Sequence, residues 1–442
     1  MRLSKYIVVS PTFGEGEDLQ NIMFSTRTSQ PHIVSAATVE ALYDENISLL
    51  TEKQLQLLTD AKILVNEDEN ELLSVIERNK TAIASNDTLN FVIQPTASCQ
   101  LGCGYCGQTH SPKKISLEHQ EKLLERLRGL LAAGTYKTLQ IGWFGAEPLA
   151  GLSVITEMTP KLVSLANESN CIYTVKAMPT NGLQLNVETA VMLHKQYHLA
   201  HFEITLDGIA EFHDLRRHTK NGKPTFEKIF QNVLAIAADE RLMDVKISIR
   251  CNVDRQNVEG VLPLIHLLAK HNLQDRIIFY TAQVHSWGDN DAQLAGLSKE
   301  EYCDMELEWL AEMFELGFKL NLLPQQKPIV CLAVNKDGEM VDAYGNQYNC
   351  TEASYVPGYG NDYKFGQLDG NAFTMQKRVL GDFNDDVLQG RYSCSVCPML
   401  PTCGGACPKE WKEGRVPCPT NKFNLSEKLL LYYAQYLQHH NI

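Results

Sequence analysis

The 442-residue chain contains no run approaching the roughly 20 apolar residues that cross a membrane. It has no block of basic residues of the kind that marks a nucleic-acid footprint. Between Met1 and Thr12 there is no sustained apolar core that would serve as a signal peptide. These absences predict a cytoplasmic protein with neither membrane nor nucleic-acid partners. The 40 basic residues fall short of the 53 acidic ones, for a net charge of −13, a balance that fits small-molecule or peptide partners without choosing between them. What the chain has in quantity is cysteine. Thirteen of them without a secretory signal argue for reduced thiols and metal ligation, not disulfides. The length allows two or three domains with a sizeable core.

Cys99-Gln100-Leu101-Gly102-Cys103-Gly104-Tyr105-Cys106 follows the strand-like run Phe91-Val92-Ile93. Its C-x3-C-x2-C spacing on a glycine-containing loop brings three thiolates toward one centre, yet a zinc site needs a fourth ligand, and the next cysteine is Cys171. An iron–sulfur cube can take three thiolates and leave one iron open. With an aromatic residue, Tyr105, before the third cysteine, the stretch resembles the signature of the radical S-adenosylmethionine (radical SAM) enzymes.

Along the chain, residues 1–88 are expected to form a small α+β unit. Lys5–Ser10 and Asn21–Ser25 read as strands, Ser35–Tyr43 and Thr51–Ala61 as helices, and Ile63–Val65 as a last strand. This unit is either a packing domain or, by the layout of the resembling peptide-modifying enzymes, a leader-peptide recognition element that adds its peptide to a sheet edge. From 89 to 285, strand candidates at Asn90–Gln94, Leu139–Trp143, Tyr173–Ala177, Phe202–Leu206, Val245–Arg250 and Ile277–Thr281 alternate with helix-period segments. Six such repeats predict an α/β fold, a partial (β/α)6 TIM-like barrel with its chemistry at the strand C-termini. Residues 286–330 bridge onward through a helix at Leu297–Leu316 and a strand at Phe318–Leu323. Residues 331–420 are rich in Cys, Gly and Pro and poor in core formers, so they are expected to need metal staples. Residues 421–442 read as a C-terminal helix.

Further motifs fall at the strand ends. Gly145-Ala146-Glu147-Pro148 stands where radical SAM enzymes carry Gly-Gly-Glu-Pro, which implies contacts from Gly145, Ala146 and Glu147 to the methionine amino group of the cofactor. Ala146 replaces a glycine, which is tolerable if its φ is negative. Thr180-Asn181-Gly182 matches the family's ribose-side position, although an Asx-type turn would explain it equally. Thr205-Leu206-Asp207-Gly208 and His213-Asp214-Leu215-Arg216-Arg217 resemble a pattern in which a hydroxyl and an arginine, here Thr205 and Arg217, contact the cofactor's ribose and carboxylate. Arg216 is expected at the surface, with His213 and Asp214 shaping the loop.

The C-terminal cysteines are Cys331, Cys350, Cys394, Cys397, Cys403, Cys407 and Cys418. Seven are too many for one tetrahedral ion, and spacing alone leaves one or two zinc sites open. The pattern resembles the SPASM domain, which implies two auxiliary [4Fe-4S] clusters, the outer on Cys394, Cys397, Cys403 and Cys418 and the inner on Cys331, Cys350 and Cys407. The inner set is one thiolate short, and Cys303 on the bridging helix is the remaining candidate.

The resemblance implies three [4Fe-4S] clusters, reductive cleavage of S-adenosyl-L-methionine, an electron donor such as flavodoxin or ferredoxin, and hydrogen abstraction from a ribosomally made precursor peptide with a leader, ending in a crosslink. The residues that act as acid or base stay unassigned. Sulfatase-maturing relatives carry an Asp directly after the second SPASM cysteine, where this chain has Thr351, so that activity is the alternative, together with radical dehydrogenation or epimerisation. A non-catalytic metal-binding scaffold is the alternative of a different class.

Overall fold

The computed structural model describes residues 1–16, 18–288, 290–359, 361–368 and 380–440. At the N-terminus, β1 (Arg2–Leu3), β2 (Ile7–Val9), β3 (Gln20–Ser25) and β4 (Gln30–Ser35) precede α1 (Ala36–Tyr43), α2 (Glu52–Asp60), β5 (Leu64–Val65) and α3 (Glu71–Ala84). β2, β3 and β4 form an antiparallel sheet with β3 in the middle, and β1 pairs with β5. The edge strand β4 and helix α3 are absent from the sequence expectation. β4 has only half-buried and exposed residues around Pro31, so it lacks a hydrophobic signature. The acidic run 67–71 hid the start of α3, which Asn70 caps by accepting from the Leu73 N–H.

The unit does not stand alone. Tyr6, Val75 and Ile76 share a core with Phe383, Val387, Cys394 and Leu400, and Ile22 and Phe24 share another with Met399, Leu425 and Leu429. Its apolar faces therefore cover the C-terminal cysteine region.

Next come β6 (Thr88–Ile93), α4 (Leu117–Ala133), β7 (Thr138–Trp143), α5 (Leu152–Glu168), β8 (Ile172–Val175), β9 (Met178–Thr180), α6 (Val187–Tyr197), β10 (His201–Thr205), α7 (Ala210–Arg216), α8 (Phe226–Ala238), β11 (Lys246–Val253), α9 (Val261–Lys270) and β12 (Ile278–Gln283). All neighbouring pairs among these strands are parallel, in the orders β6-β7-β8 and β9-β10-β11-β12. The third expected strand, Tyr173–Ala177, corresponds to β8, and beyond Lys176-Ala177 a separate strand, β9, joins the other sheet while lying against β7. Strand residues such as Leu89, Phe91, Ile141, Phe202, Ile204 and Ile249 are fully buried against the helices in one continuous core.

α10 (Lys299–Glu315) opens on a capping box between Ser298 and Glu301. The strand expected at Phe318–Leu323 does not form. Its alternating apolar pattern runs through irregular backbone in which Phe318 and Leu322 are buried, so packing, not a ladder, uses the alternation. The C-terminal region then contributes β13 (Glu339–Val341), β14 (Asn346–Tyr348), β15 (Lys364–Gln367), α11 (Phe383–Leu388), α12 (Leu400–Cys403), α13 (Pro408–Lys412) and α14 (Asn421–His440). β13 pairs in parallel with β6, and β14 and β15 continue the sheet antiparallel, giving the order β15-β14-β13-β6-β7-β8. The region is also less poor in core than its composition suggests: Ala333, Met340, Tyr348, Val356, Tyr359 and Tyr363 pack together. A buried, two-pronged ion pair joins α4 to β13, with Arg126 Nε and Nη2 each 2.6 Å from a Glu339 carboxylate oxygen.

Candidate active site

The loops leaving β6, β7, β9, β10, β11 and β12 surround a cavity of about 360 Å³. Cys99, Cys103, Tyr105, Cys106, Gly145, Ala146, Glu147, Thr180, Asn181, Thr205 and Arg217, all expected from the sequence to face one cofactor, line it together. The three cysteines sit on a loop zipped to residues 216–220: Gly102 N–H donates to His218 O, Gly104 N–H to Arg216 O and Lys220 N–H to Gln100 O, at 3.0, 3.2 and 3.0 Å. On its other flank Thr109 N–H donates to Tyr355 O at 2.7 Å. Backbone bonds from two directions thus set where the thiols point.

Glu147 is 1% exposed. Its carboxylate accepts from Asn181 N–H (2.7 Å), Thr180 Oγ1 (2.8 Å) and Leu149 N–H (3.0 Å). Burial pushes its pKa up against those bonds, and among the described residues it has no ion-pair partner. A buried carboxylate held by neutral donors and facing a cavity suits a cationic ligand group. Gly145 takes φ +119°, where a Cβ would come within 3.3 Å of Gln94 and the Thr96 carbonyl. Ala146 is not among the residues with positive φ, so its extra methyl costs the turn nothing. Asn181 forms an Asx-type bond, its Oδ1 accepting from Leu183 N–H at 3.0 Å, while its Nδ2 lies 3.7 Å from Cys99 Sγ.

Arg217 is buried beneath the cavity, where Nη1 donates to Tyr105 Oη at 2.5 Å, and Asp207 Oδ2 accepts from the same hydroxyl at 2.5 Å. Asn252 Nδ2 reaches that oxygen at 3.1 Å. The phenol ring is thereby clamped, and Arg217 Nε remains buried without a partner, a donor edge suited to a carboxylate. Arg216 is not at the surface, as its neighbour's assignment to the site had suggested. It is 4% exposed and bonded to Asp254 and Asn257, and its burial anchors α7 beneath the cysteine loop. His213 and Asp214 do shape this loop. His213 Nδ1 accepts from Asp207 N–H at 3.1 Å, and Asp214 Oδ1 accepts from Thr225 N–H and Phe226 N–H at the start of α8.

Other residues of the cavity carried no signal in a single sequence. Glu203, Arg250, Asn252, His285, Trp287 and Glu352 line it from strand ends and from the C-terminal region. Trp287 fits because Gly107 has no side chain: a Cβ there would lie 2.6 Å from the Trp287 carbonyl oxygen. His110 lies beside the cysteine loop, its Nε2 3.9 Å from Cys106 Sγ.

The C-terminal cysteines fall in two groups. The thiols of Cys394, Cys397, Cys403 and Cys418 line one small buried pocket, and their charges act on one another. Cys331, Cys350 and Cys407 form the second group by the same interactions. Burial pushes Cys394 and Cys350 up to about 12, followed by neighbouring sulfur charge at Cys394 and by the Glu352 carboxylate, ahead of sulfur, at Cys350. Grouped thiols with no adequate countercharge suit a cationic centre that holds them as thiolates. A single zinc ion would draw its ligands to a common point about 2.3 Å from each sulfur. Among the described residues no group of three or more His, Cys, Asp or Glu converges in that way. Cys303 joins neither the inner group nor the cavity; its Sγ faces the Thr420 carbonyl at 3.8 Å. Cys171 and Cys251 are buried in the core.

Residues 93–241 match the Radical SAM superfamily. Those residues carry a Radical SAM domain. The chain is 22% identical over 366 residues to an uncharacterized protein of Synechocystis sp., spanning 76% of this chain and 87% of the relative. It is 23% identical over 364 residues to a serine-type anaerobic sulfatase-maturating enzyme of Bacteroides thetaiotaomicron, spanning 73% and 83%. Among solved structures, native anSMEcpe with bound AdoMet superposes with a TM-score of 0.55 at 18% identity, covering 79% of this chain and 98% of that one. This last likeness is one of fold. No helix among the described residues is long and apolar enough to cross a membrane.

Proposed function

We propose that this radical SAM protein modifies a ribosomally made precursor peptide, taking hydrogen from an unactivated carbon and closing a crosslink within the peptide. One observation carries the reading: the three-cysteine loop, a buried carboxylate with no ion-pair partner among the described residues, and an arginine with a free donor edge line one cavity whose far wall comes from the region of the second cysteine group. Cys99, Cys103 and Cys106 hold the first cluster. Glu147, with the Gly145-Ala146 turn, receives the amino group of S-adenosylmethionine. Arg217 receives its carboxylate, Thr180, Asn181 and Thr205 its ribose side, and Tyr105 walls the pocket. Bound there, cluster and cofactor supply a one-electron reductive cleavage that yields methionine and a 5′-deoxyadenosyl radical. The chain's own work is to orient the ligands, exclude water and present the peptide. Cys394, Cys397, Cys403 and Cys418 hold an outer auxiliary cluster, and Cys331, Cys350 and Cys407 an inner one whose remaining iron is open to substrate.

A peptide substrate is supported by the fold likeness to anSMEcpe, of which another structure holds AdoMet together with the Cp18Cys peptide. It is also supported by the N-terminal unit. The outer edge of β4 pairs with no strand among the described residues, and a groove of about 650 Å³ between β4 and α2 is lined by Gln30, His32, Lys53, Gln56 and Leu57. A leader added to that edge as a strand would place alternate side chains in the groove. Because this unit also covers the cysteine region, Leu57→Glu tests leader binding more cleanly than deletion of residues 1–88.

The test is anaerobic reconstitution followed by co-expression with short peptides encoded beside the gene. The expected result is roughly twelve irons per chain, release of 5′-deoxyadenosine with a strong reductant, and a peptide product lighter by two hydrogens. Zinc in place of iron, or no deoxyadenosine, would falsify the catalytic reading. The sulfatase-maturing activity named for two relatives is the second reading. A sulfatase-derived peptide converted to formylglycine would establish it instead.

A further inference from the structure

Behind one wall of the cofactor cavity lies a second cavity of about 430 Å³. Gln283, Val284 and His285, at the end of β12 and just beyond it, line both and form the wall that the two cavities share. The second cavity is otherwise bounded by Lys299 in the first turn of α10 and by Glu410, Arg415 and Val416 at and beyond α13.

Its charge is unusual for an acidic chain. Among the described residues, Lys299 makes neither an ion pair nor a hydrogen bond, and Glu410 acts on it only through space. Arg415 spends one edge on Glu413. His285 has no hydrogen-bond partner among the described residues, and it feels the charges of Lys299, Arg250 and Arg415. Gln283 donates from Nε2 to Leu297 O at 2.6 Å, but its Oε1 is buried without a donor. The wall thus sets two cations, Lys299 and Arg415, and the His285 imidazole against the single carboxylate of Glu410, and Gln283 offers an acceptor to an N–H. This balance favours an entering carboxylate over an entering cation.

We propose that this second cavity is a specificity subsite that binds a carboxylate of the peptide substrate, on a side chain or at the C-terminus, while a neighbouring residue occupies the cofactor cavity. It rests on the peptide reading given above. The carboxylate-bearing residue and the reacting residue then lie on either side of the wall made by Gln283, Val284 and His285. Gln283 Oε1 accepts from the backbone of the chain as it crosses.

The experiment measures binding of three acetylated pentapeptides to the full chain, reconstituted with iron–sulfur clusters and S-adenosylmethionine. One has a central Glu and an amidated end, one a central Gln and an amidated end, and one a central Gln and a free C-terminal carboxylate. One or both carboxylate peptides are expected to bind about tenfold or more tightly than the neutral one, and which of them gains identifies the source of the carboxylate. The preference is expected to vanish in Lys299→Met/Arg415→Met and to survive in Lys299→Arg. Iron content and circular dichroism identify any misfolded variant, in which case Lys299→Gln carries the same test. Equal binding of all three peptides, or a preference unchanged in the variants lacking charge, overturns the proposal. Preference without modification of any precursor keeps the subsite and sinks the peptide-maturation reading; modification without preference does the reverse.

Discussion

Residues 88–283 bury their strands in one apolar core that runs without a break from Leu89 to Phe279. Residues 331–418 divide their apolar side chains among smaller clusters, between which seven cysteines gather in two groups. The first region needs no metal to define its backbone, and its three cysteines are guests on a loop held by hydrogen bonds to residues 216–220. On the proposed reading, clusters staple the second where its core is thin. Equivalent losses of iron should therefore have unequal structural consequences.

The sharpest way to break that contrast is to remove one cluster at a time. Cys103→Ala is expected to lose about four of roughly twelve irons and all measurable deoxyadenosine release, while the thermal midpoint stays where it was. Cys403→Ala should lose as much iron and also lower the midpoint by several degrees. Equal midpoints for the two variants, read by calorimetry on matched anaerobic samples, would remove the distinction.

The joint between the regions comes next. Arg126→Met leaves Glu339 charged and buried, which costs about 3–5 kcal/mol in denaturant unfolding, and Arg126→Met/Glu339→Met should recover most of it. No recovery in the double variant would mean that the pair is not what couples α4 to β13.

A pH effect separates the regions further. Burial, with Arg217 nearby, depresses His213 to about 4 from an ordinary 6.5. Between those values the unfolded chain binds a proton that the folded chain does not. This contribution to stability is therefore complete above pH 6.5 and is lost as pH falls toward 4, amounting to roughly 3 kcal/mol. His213→Gln should flatten that slope in denaturant titrations across the window. An unchanged slope would assign the acid sensitivity elsewhere.

The smallest effect serves as a control. Ile249→Val removes one methylene from the apolar core and should cost about 1 kcal/mol, the same with and without iron. A cost that depends on iron would show that the core and the clusters are not independent.

Much of this was legible in the sequence, for reasons that differ by element. Strands β6, β7, β10, β11 and β12 are buried between helices, and such strands read as apolar runs. The helices between them carry a clear 3.6-residue period. Every cofactor-facing residue expected from the motifs lines the cavity, because each stands at a strand end or on the cysteine loop and the fold gathers those positions at one face. The failures have separate causes. β4 carries no hydrophobic signature around Pro31, whereas long-range pairing decides β13, three residues that become a strand only beside β6. Phe318–Leu323 has the pattern without a partner. Arg216 is buried because Asp254 and Asn257 await it, a pairing across some forty residues that nothing local announces. His285, Trp287 and Glu352 reach the cavity from segments that no motif marks.

The pairing of β13 with β6 also has a consequence in time. The strand that leads into the first cysteine loop lacks its outer neighbour until residues 339–341 exist, about 250 residues later. At roughly 5–20 residues per second, a ribosome takes about 12–50 s to supply them. For that interval the nascent chain presents an unpaired parallel edge next to three reduced thiols. The nascent chain thus exists first as an unfinished sheet, and the residues that complete it come from the C-terminal region.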